Sequence, residues 1–125
     1  MVRLAVYGTL RKSFGNNYLL KNSEFLGERA LTLPFKMVDL GSFPGLTPDD
    51  KFNTIIVEVF NVSETLLMSR IDALEGHPNF YTRISIDIDN KPTYIYVLTQ
   101  DRWKHYHKVE SGDWNKYTGG MYGNY

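Results

Sequence analysis

The sequence predicts a mixed α+β domain: a small mixed five- to six-stranded barrel-like sheet with two or three short helices. Five or six short runs read as strands and two or three as helices, without regular β-α-β alternation. The 125 residues are 42% hydrophobic and 22% charged, enough for one core. Glycine and proline clusters cut the chain into short elements, as a curled sheet requires.

Residues 2 to 7 read as the first strand, with Val2, Leu4 and Val6 on one face and Arg3, Ala5 and Tyr7 on the other. Gly8 breaks it. Arg11 to Gly15 reads as loop, and Asn16 to Asn22 as a short helix. Glu24 to Leu33 is expected as a strand kinked at Gly27 and stopped by Pro34. Phe35 to Leu40 is a further extended piece, followed by turn chemistry at Gly41-Ser42-Phe43-Pro44-Gly45 and a second loop at Pro48 to Lys51. Thr54 to Val62 is the clearest strand, dense in Ile and Val. Ser63 is a good N-cap for a helix over 64–75, in which Leu67, Ile71 and Leu74 share a face. Gly76 suits the C′ position and Pro78 forbids continuation. Tyr81 to Asp89 alternates, Asn90-Lys91-Pro92 turns, and Thr93 to Thr99 returns as a hairpin. From Gln100 onward the chain is aromatic, basic and glycine-rich, a short helix or irregular segment. One domain over 1–118 and a flexible Gly/Tyr-rich tail over 119–125 are expected.

Lys+Arg and Asp+Glu are both 14, so no broad field favours nucleic acid or an anionic membrane. The chain has no cysteine, which excludes disulfides, zinc-thiolate sites and a thiol nucleophile. The segment Met1 to Gly8 is too short for a signal h-region, and no apolar run approaches the roughly 18 residues of a membrane span. A soluble cytoplasmic protein is expected; the oligomeric state stays open.

Glu75 is the first candidate for chemistry. A carboxylate at a helix C-terminus meets the negative end of the macrodipole, and burial behind Leu74, Phe80 and Tyr81 acts in the same direction. Both raise its pKa, which suits a general base that then serves as general acid. A solvated last-turn residue is the plain alternative. Tyr7-Gly8-Thr9-Leu10 is the second: a glycine after a strand exposes successive N–H groups that can hold a carboxylate or oxyanion. An ordinary strand-ending turn has the same signature. Arg11 and Arg83 are either partners of a substrate carboxylate or structural charges. Tyr81 either places a hydroxyl near Glu75 or is a core aromatic. Phe43-Pro44-Gly45 is a pocket wall or a plain turn. His105 and His107 lack a third ligand, so no metal site is expected. The basic and aromatic run from Arg102 to Lys108 is too short a patch on a neutral chain to predict nucleic-acid binding.

Taken in order, five segments resemble the γ-glutamylcyclotransferase-like superfamily, in particular its γ-glutamylamine cyclotransferase branch. They are Val6 to Arg11, Phe43-Pro44-Gly45, Ile56 to Phe60, Ile71 to Arg83, and Gly112-Asp113-Trp114. The resemblance implies a small barrel-like α+β fold, substrate binding by the backbone of Tyr7 to Leu10, and Glu75 as the proton-transferring residue. It implies release of an amine or amino acid from a small-molecule γ-glutamyl amide, with closure of the glutamyl part to 5-oxoproline. The substrate's own α-amine is the nucleophile, so the missing cysteine is no handicap, and no cofactor, metal or acyl-enzyme is expected. Val57 stands where the family often has glycine, and His77 where smaller residues are common. Two alternatives remain: a cyclotransferase for another γ-glutamylated metabolite, and a non-catalytic binding module of the same fold.

Overall fold

Both faces of the first strand are buried, and the architecture follows from that. A computed structural model describes residues 1–119, so the expected tail lies, beyond Gly119, outside the described residues. Five strands form one sheet in the order β2-β3-β1-β5-β4: β1 Val2–Val6, β2 Glu24–Asp39, β3 Pro44–Val62, β4 Tyr81–Ile88 and β5 Lys91–Leu98. All pairings are antiparallel except β1 with β5. Alternation places Ala5, Val57, Val59, Ile95 and Val97 in one apolar cluster, and Leu4, Val6, Phe60, Tyr96 and Leu98 in another.

The sheet curls around the first cluster. Leu31 and Leu33 of β2 pack against it, as do Ile84 and Ile86 of β4, although β2 and β4 lie at opposite ends of the strand order. Arg29 of β2 pairs with Asp89 in the β4–β5 turn at 2.9 Å, joining the two edges by side chains. The expected barrel-like form is therefore reached by curling, with five strands.

One expectation fails here. Pro34 does not stop a strand, because β2 runs through it to Asp39. The register shows how: Leu33 faces Asn53 and Phe35 faces Pro48, so residues 49–52 bulge out of β3 opposite the proline. A proline lacks the N–H a ladder needs, and a bulge removes that need. Asn53 fills the bulge, its Nδ2 donating to the Phe35 carbonyl at 2.9 Å and to Asp49 at 2.8 Å. The loop expected at Pro48 to Lys51 is thus an interruption inside one long strand.

The expected helix over 64–75 forms as Glu64–Leu66, a π turn Leu67–Ile71, and Asp72–Glu75. Leu66 N–H donates to Ser63 Oγ at 3.0 Å, the predicted cap. Its far end is a Schellman closure: Gly76 N–H bonds Ala73 O and His77 N–H bonds Asp72 O, with Gly76 at φ 67°. Leu67 and Ile71 pack into the second cluster, which seats the helix against the sheet. Short 3-10 turns occupy Gly15–Leu20 and Asp101–His105, and a capped helix occupies Trp114–Thr118.

Candidate active site

The end of that helix and the loop after β1 wall one cavity of about 390 Å³, at the small end of ligand pockets. Its lining comes from residues 5–10, Asn16, Phe43 and Pro44, residues 73–76, Phe80 and Tyr81, and Tyr96. Of the residues singled out from sequence, Tyr7, Gly8, Thr9, Leu10, Phe43, Pro44, Glu75 and Tyr81 lie on this wall, whereas Arg11, Gly45 and Arg83 do not.

Hydrogen bonds within the loop and from the turn after it occupy its carbonyls. Arg11 N–H closes on Gly8 O at 3.0 Å, and Asn16 N–H on Thr9 O at 3.1 Å. Asn16 and Asn17 side chains donate to Thr9 Oγ1 and Leu10 O, at 2.9 and 2.8 Å. The carbonyls are thereby occupied. Among the described residues, the N–H groups of Gly8, Thr9 and Leu10 have no protein acceptor. Glycine is needed at position 8 for close approach: a Cβ there would stand 2.9 Å from Pro44 Cδ.

Arg11 resolves as structural. It is 2% exposed and pairs with Glu58 at 2.9 Å, Asp113 at 2.8 Å and Glu28 at 3.3 Å. Glu58 also accepts from the Lys12 amide at 2.8 Å. These charges, three of them buried or partly buried, tie the loop to β3 and to the cap of the last helix. Arg83 is structural too, a two-pronged partner of Asp72 at 2.7 and 3.0 Å.

Glu75 is the partly buried carboxylate of the cavity. Among the described residues it makes no hydrogen bond or ion pair, while its pKa is pushed up from 4.5 to about 7. Burial is the main cause and the Asp72 carboxylate, one helical turn earlier, the second. The cause read from sequence was the macrodipole with burial; the structure puts burial first and adds a neighbouring charge. Asp72 stays ionised: burial acts to raise its pKa, but hydrogen bonds from Arg83 and Tyr96 prevail and hold it below the ordinary carboxylate value. A charge held ionised beside a partnerless Glu75 is a local arrangement for proton transfer near neutrality.

The two tyrosines of the cavity use their hydroxyls on backbone carbonyls. The Tyr7 hydroxyl donates to Tyr96 O at 2.7 Å, and that of Tyr81 to Pro44 O. Both are raised in pKa, by burial first, with Glu75 contributing, and so stay neutral. Their rings wall the cavity and their hydroxyls brace its backbone. Tyr96 and Asp72 were missed in the sequence: Tyr96 lies outside every motif, and Asp72, although inside the segment Ile71 to Arg83, shows its part only through its contacts with Arg83 and with Tyr96, 24 residues away. Among the described residues no group of His, Cys, Asp and Glu is arranged to hold a metal, and no helix is long and apolar enough to cross a membrane.

A loop with free amides and a carboxyl raised to about 7 thus line one cavity on a curled five-stranded sheet. The model of the family "Gamma-glutamyl cyclotransferase, AIG2-like" matches residues 4–116, and the chain belongs to that family. It is 36% identical to a candidate gamma-glutamylcyclotransferase of Methanocaldococcus jannaschii, over 91% of this chain and 96% of the relative. It is 30% identical to the gamma-glutamylcyclotransferase family protein YtfP of Escherichia coli K12, over 90% of this chain and 96% of that one. The fold also matches the crystal structure of a mouse AIG2-like protein, with a TM-score of 0.74, 23% identity and coverage of 90% and 88%.

Proposed function

We propose that the protein is a cyclotransferase of the γ-glutamylamine type, acting in the cytoplasm without a cofactor. It cleaves a γ-glutamyl amide into a free amine and 5-oxoproline. The observation that carries this reading is Glu75: partnerless, raised to about 7, and in the same cavity as the free amides of Gly8, Thr9 and Leu10.

The free amides suit the α-carboxylate of the glutamyl group or negative charge developing on the amide oxygen. Folding the glutamyl chain brings its neutral α-amine to the γ-carbonyl. The amine nitrogen forms the new C–N bond, and Glu75 takes the proton it sheds. Glu75 then delivers that proton to the departing nitrogen as the old C–N bond breaks, so protons balance and the carboxylate is regenerated. A group with a pKa near 7 suits both halves. Ring closure is intramolecular, so holding the substrate folded supplies much of the rate, with effective molarities of about 10⁵ M or more in well-oriented cases.

The test is 5-oxoproline release from a panel of γ-glutamyl amides by the wild type and by Glu75→Gln. Product with the wild type and a loss of about 10²-fold or more in the variant is expected. Product from Glu75→Gln at the unmodified rate sinks the role given to Glu75. Binding without product from any compound supports the non-catalytic module instead.

A further inference from the structure

The turn that follows the Tyr7 to Leu10 loop carries a side chain that the proton chemistry leaves unused. Asn16 lines the cavity, while Asn17 beside it does not. Both sit on the 3-10 turn Gly15–Leu20, which is pinned at its two ends: Phe14 is buried in the first apolar cluster and Leu20 in the second. Both also brace the loop, since Asn16 Nδ2 donates to Thr9 Oγ1 at 2.9 Å and Asn17 Nδ2 to Leu10 O at 2.8 Å. Asn16 is held a second time, by its own N–H on Thr9 O at 3.1 Å. A side chain fixed through both its backbone and its amide nitrogen presents the rest of that amide to a ligand in one place.

The polar groups of the lining divide into donors and acceptors. Donors are the N–H groups of Gly8, Thr9 and Leu10, joined by the Thr9 hydroxyl, which accepts from Asn16 and donates to nothing among the described residues. On the acceptor side, the hydroxyls of Tyr7, Tyr81 and Tyr96 are engaged with Tyr96 O, Pro44 O and Asp72, in bonds that are themselves buried. Among the described residues, Glu75 and Asn16 are then the lining side chains with an acceptor oxygen outside any protein hydrogen bond, Oδ1 in the case of Asn16. An attacking primary amine has a use for both. One of its protons must leave, and another N–H needs an acceptor if the lone pair is to stay aimed at the γ-carbonyl.

We infer that Asn16 Oδ1 holds the α-amine of the glutamyl group and orients it toward the γ-carbonyl, so that Asn16 is the residue that reads a free amine. This rests on the cyclotransferase reading and adds a substrate-contacting residue to it. The proton that Glu75 takes passes to the departing nitrogen, and the N–H that Asn16 holds stays in the 5-oxoproline ring.

Two ligands with the same leaving amine decide it: γ-glutamyl-benzylamide, and glutaryl-benzylamide, which lacks only the α-amine. Binding is measured by calorimetry in proteins that all carry Glu75→Gln, so that nothing turns over, and 5-oxoproline release in proteins with Glu75 intact. The amine-bearing ligand is expected to bind about tenfold or more tighter than the glutaryl one. Asn16→Ala is expected to remove most of that ratio, and to lower kcat/KM for the γ-glutamyl compound about tenfold or more. Asn16→Asp keeps an oxygen acceptor in place and is expected to retain the ratio. Asn17→Ala loses the brace on Leu10 alone and is expected to weaken both ligands by the same factor. Equal weakening of the two ligands by Asn16→Ala overturns the assignment and reduces Asn16 to a brace like its neighbour. Loss of the ratio in Asn16→Asp, equal binding of the two ligands with Asn16 in place, or binding of neither overturns it too. The expected binding pattern without 5-oxoproline from the wild type overturns the reaction and leaves Asn16 as the contact of the amine.

Discussion

Removing the Glu75 carboxylate is expected to stabilise the protein, and the effect has a calculable pH signature. Glu75 has an ordinary pKa of 4.5 when unfolded and about 7 when folded. A carboxyl whose folded pKa is raised binds its proton more tightly in the native state. Its contribution is fully present below pH 4.5 and is lost as pH rises through about 7. Glu75→Gln abolishes that titration while keeping a similar shape. The variant should therefore gain over the wild type by about 1 kcal/mol at pH 5, about 3 at pH 7, and little more by pH 8.5. For a domain of this size, about 3 kcal/mol is of the order of 10 °C in Tm. Urea unfolding of both proteins at the three pH values measures the difference directly. A constant difference across the range, or a variant less stable than wild type at pH 8.5, refutes the burial of Glu75 as the origin of its raised pKa. The carboxylate proposed to carry the proton is thus a stability cost at neutral pH.

Other perturbations follow from the same geometry. Asp72→Asn removes the second cause of the raised Glu75 pKa, so the rise of kcat/KM with pH, centred near 7 in the wild type, should move to lower pH; an unmoved limb with reduced rate would assign Asp72 a purely structural part. Gly8→Ala forces Pro44 away from a Cβ at 2.9 Å, and about 1–3 kcal/mol of stability should be lost along with affinity for γ-glutamyl compounds, read by unfolding and calorimetry. Arg11→Met leaves Glu58, 6% exposed, without its buried partner, and a loss of about 3–5 kcal/mol is expected in urea unfolding.

Local signals were legible where one segment carries its own evidence. Ser63, the Leu67-Ile71-Leu74 spacing and Gly76 announce a helix from both ends, and alternation over 81–99 announces a hairpin. Pro34 misled because its compensation, the bulge over residues 49–52, sits on another strand and has no mark at the proline. The site shows the same division. Glu75 and the Tyr7 loop could be picked out, and Phe43-Pro44-Gly45 was a possible wall. Yet the Tyr7 hydroxyl reaches Tyr96 O, 89 residues away, and Arg11 finds Asp113 across 102 residues. Such contacts are set by strand order, above all the parallel β1–β5 pairing, which no local period encodes. Phe43, Leu74 and Phe80 were individually visible, but their convergence on one cavity was not.

The Arg11 ion cluster has a consequence for how this protein can change over generations. It fastens the loop after β1 to β3 and to the cap of the helix Trp114–Thr118. Phe43 and Leu74 stand outside that cluster, at exposed positions. Replacements at these two positions can therefore accumulate while the loop and its anchoring charges stay as they are. A duplicated copy of this chain could thus vary the exposed edge of its cavity by a few surface replacements, with the loop inherited intact.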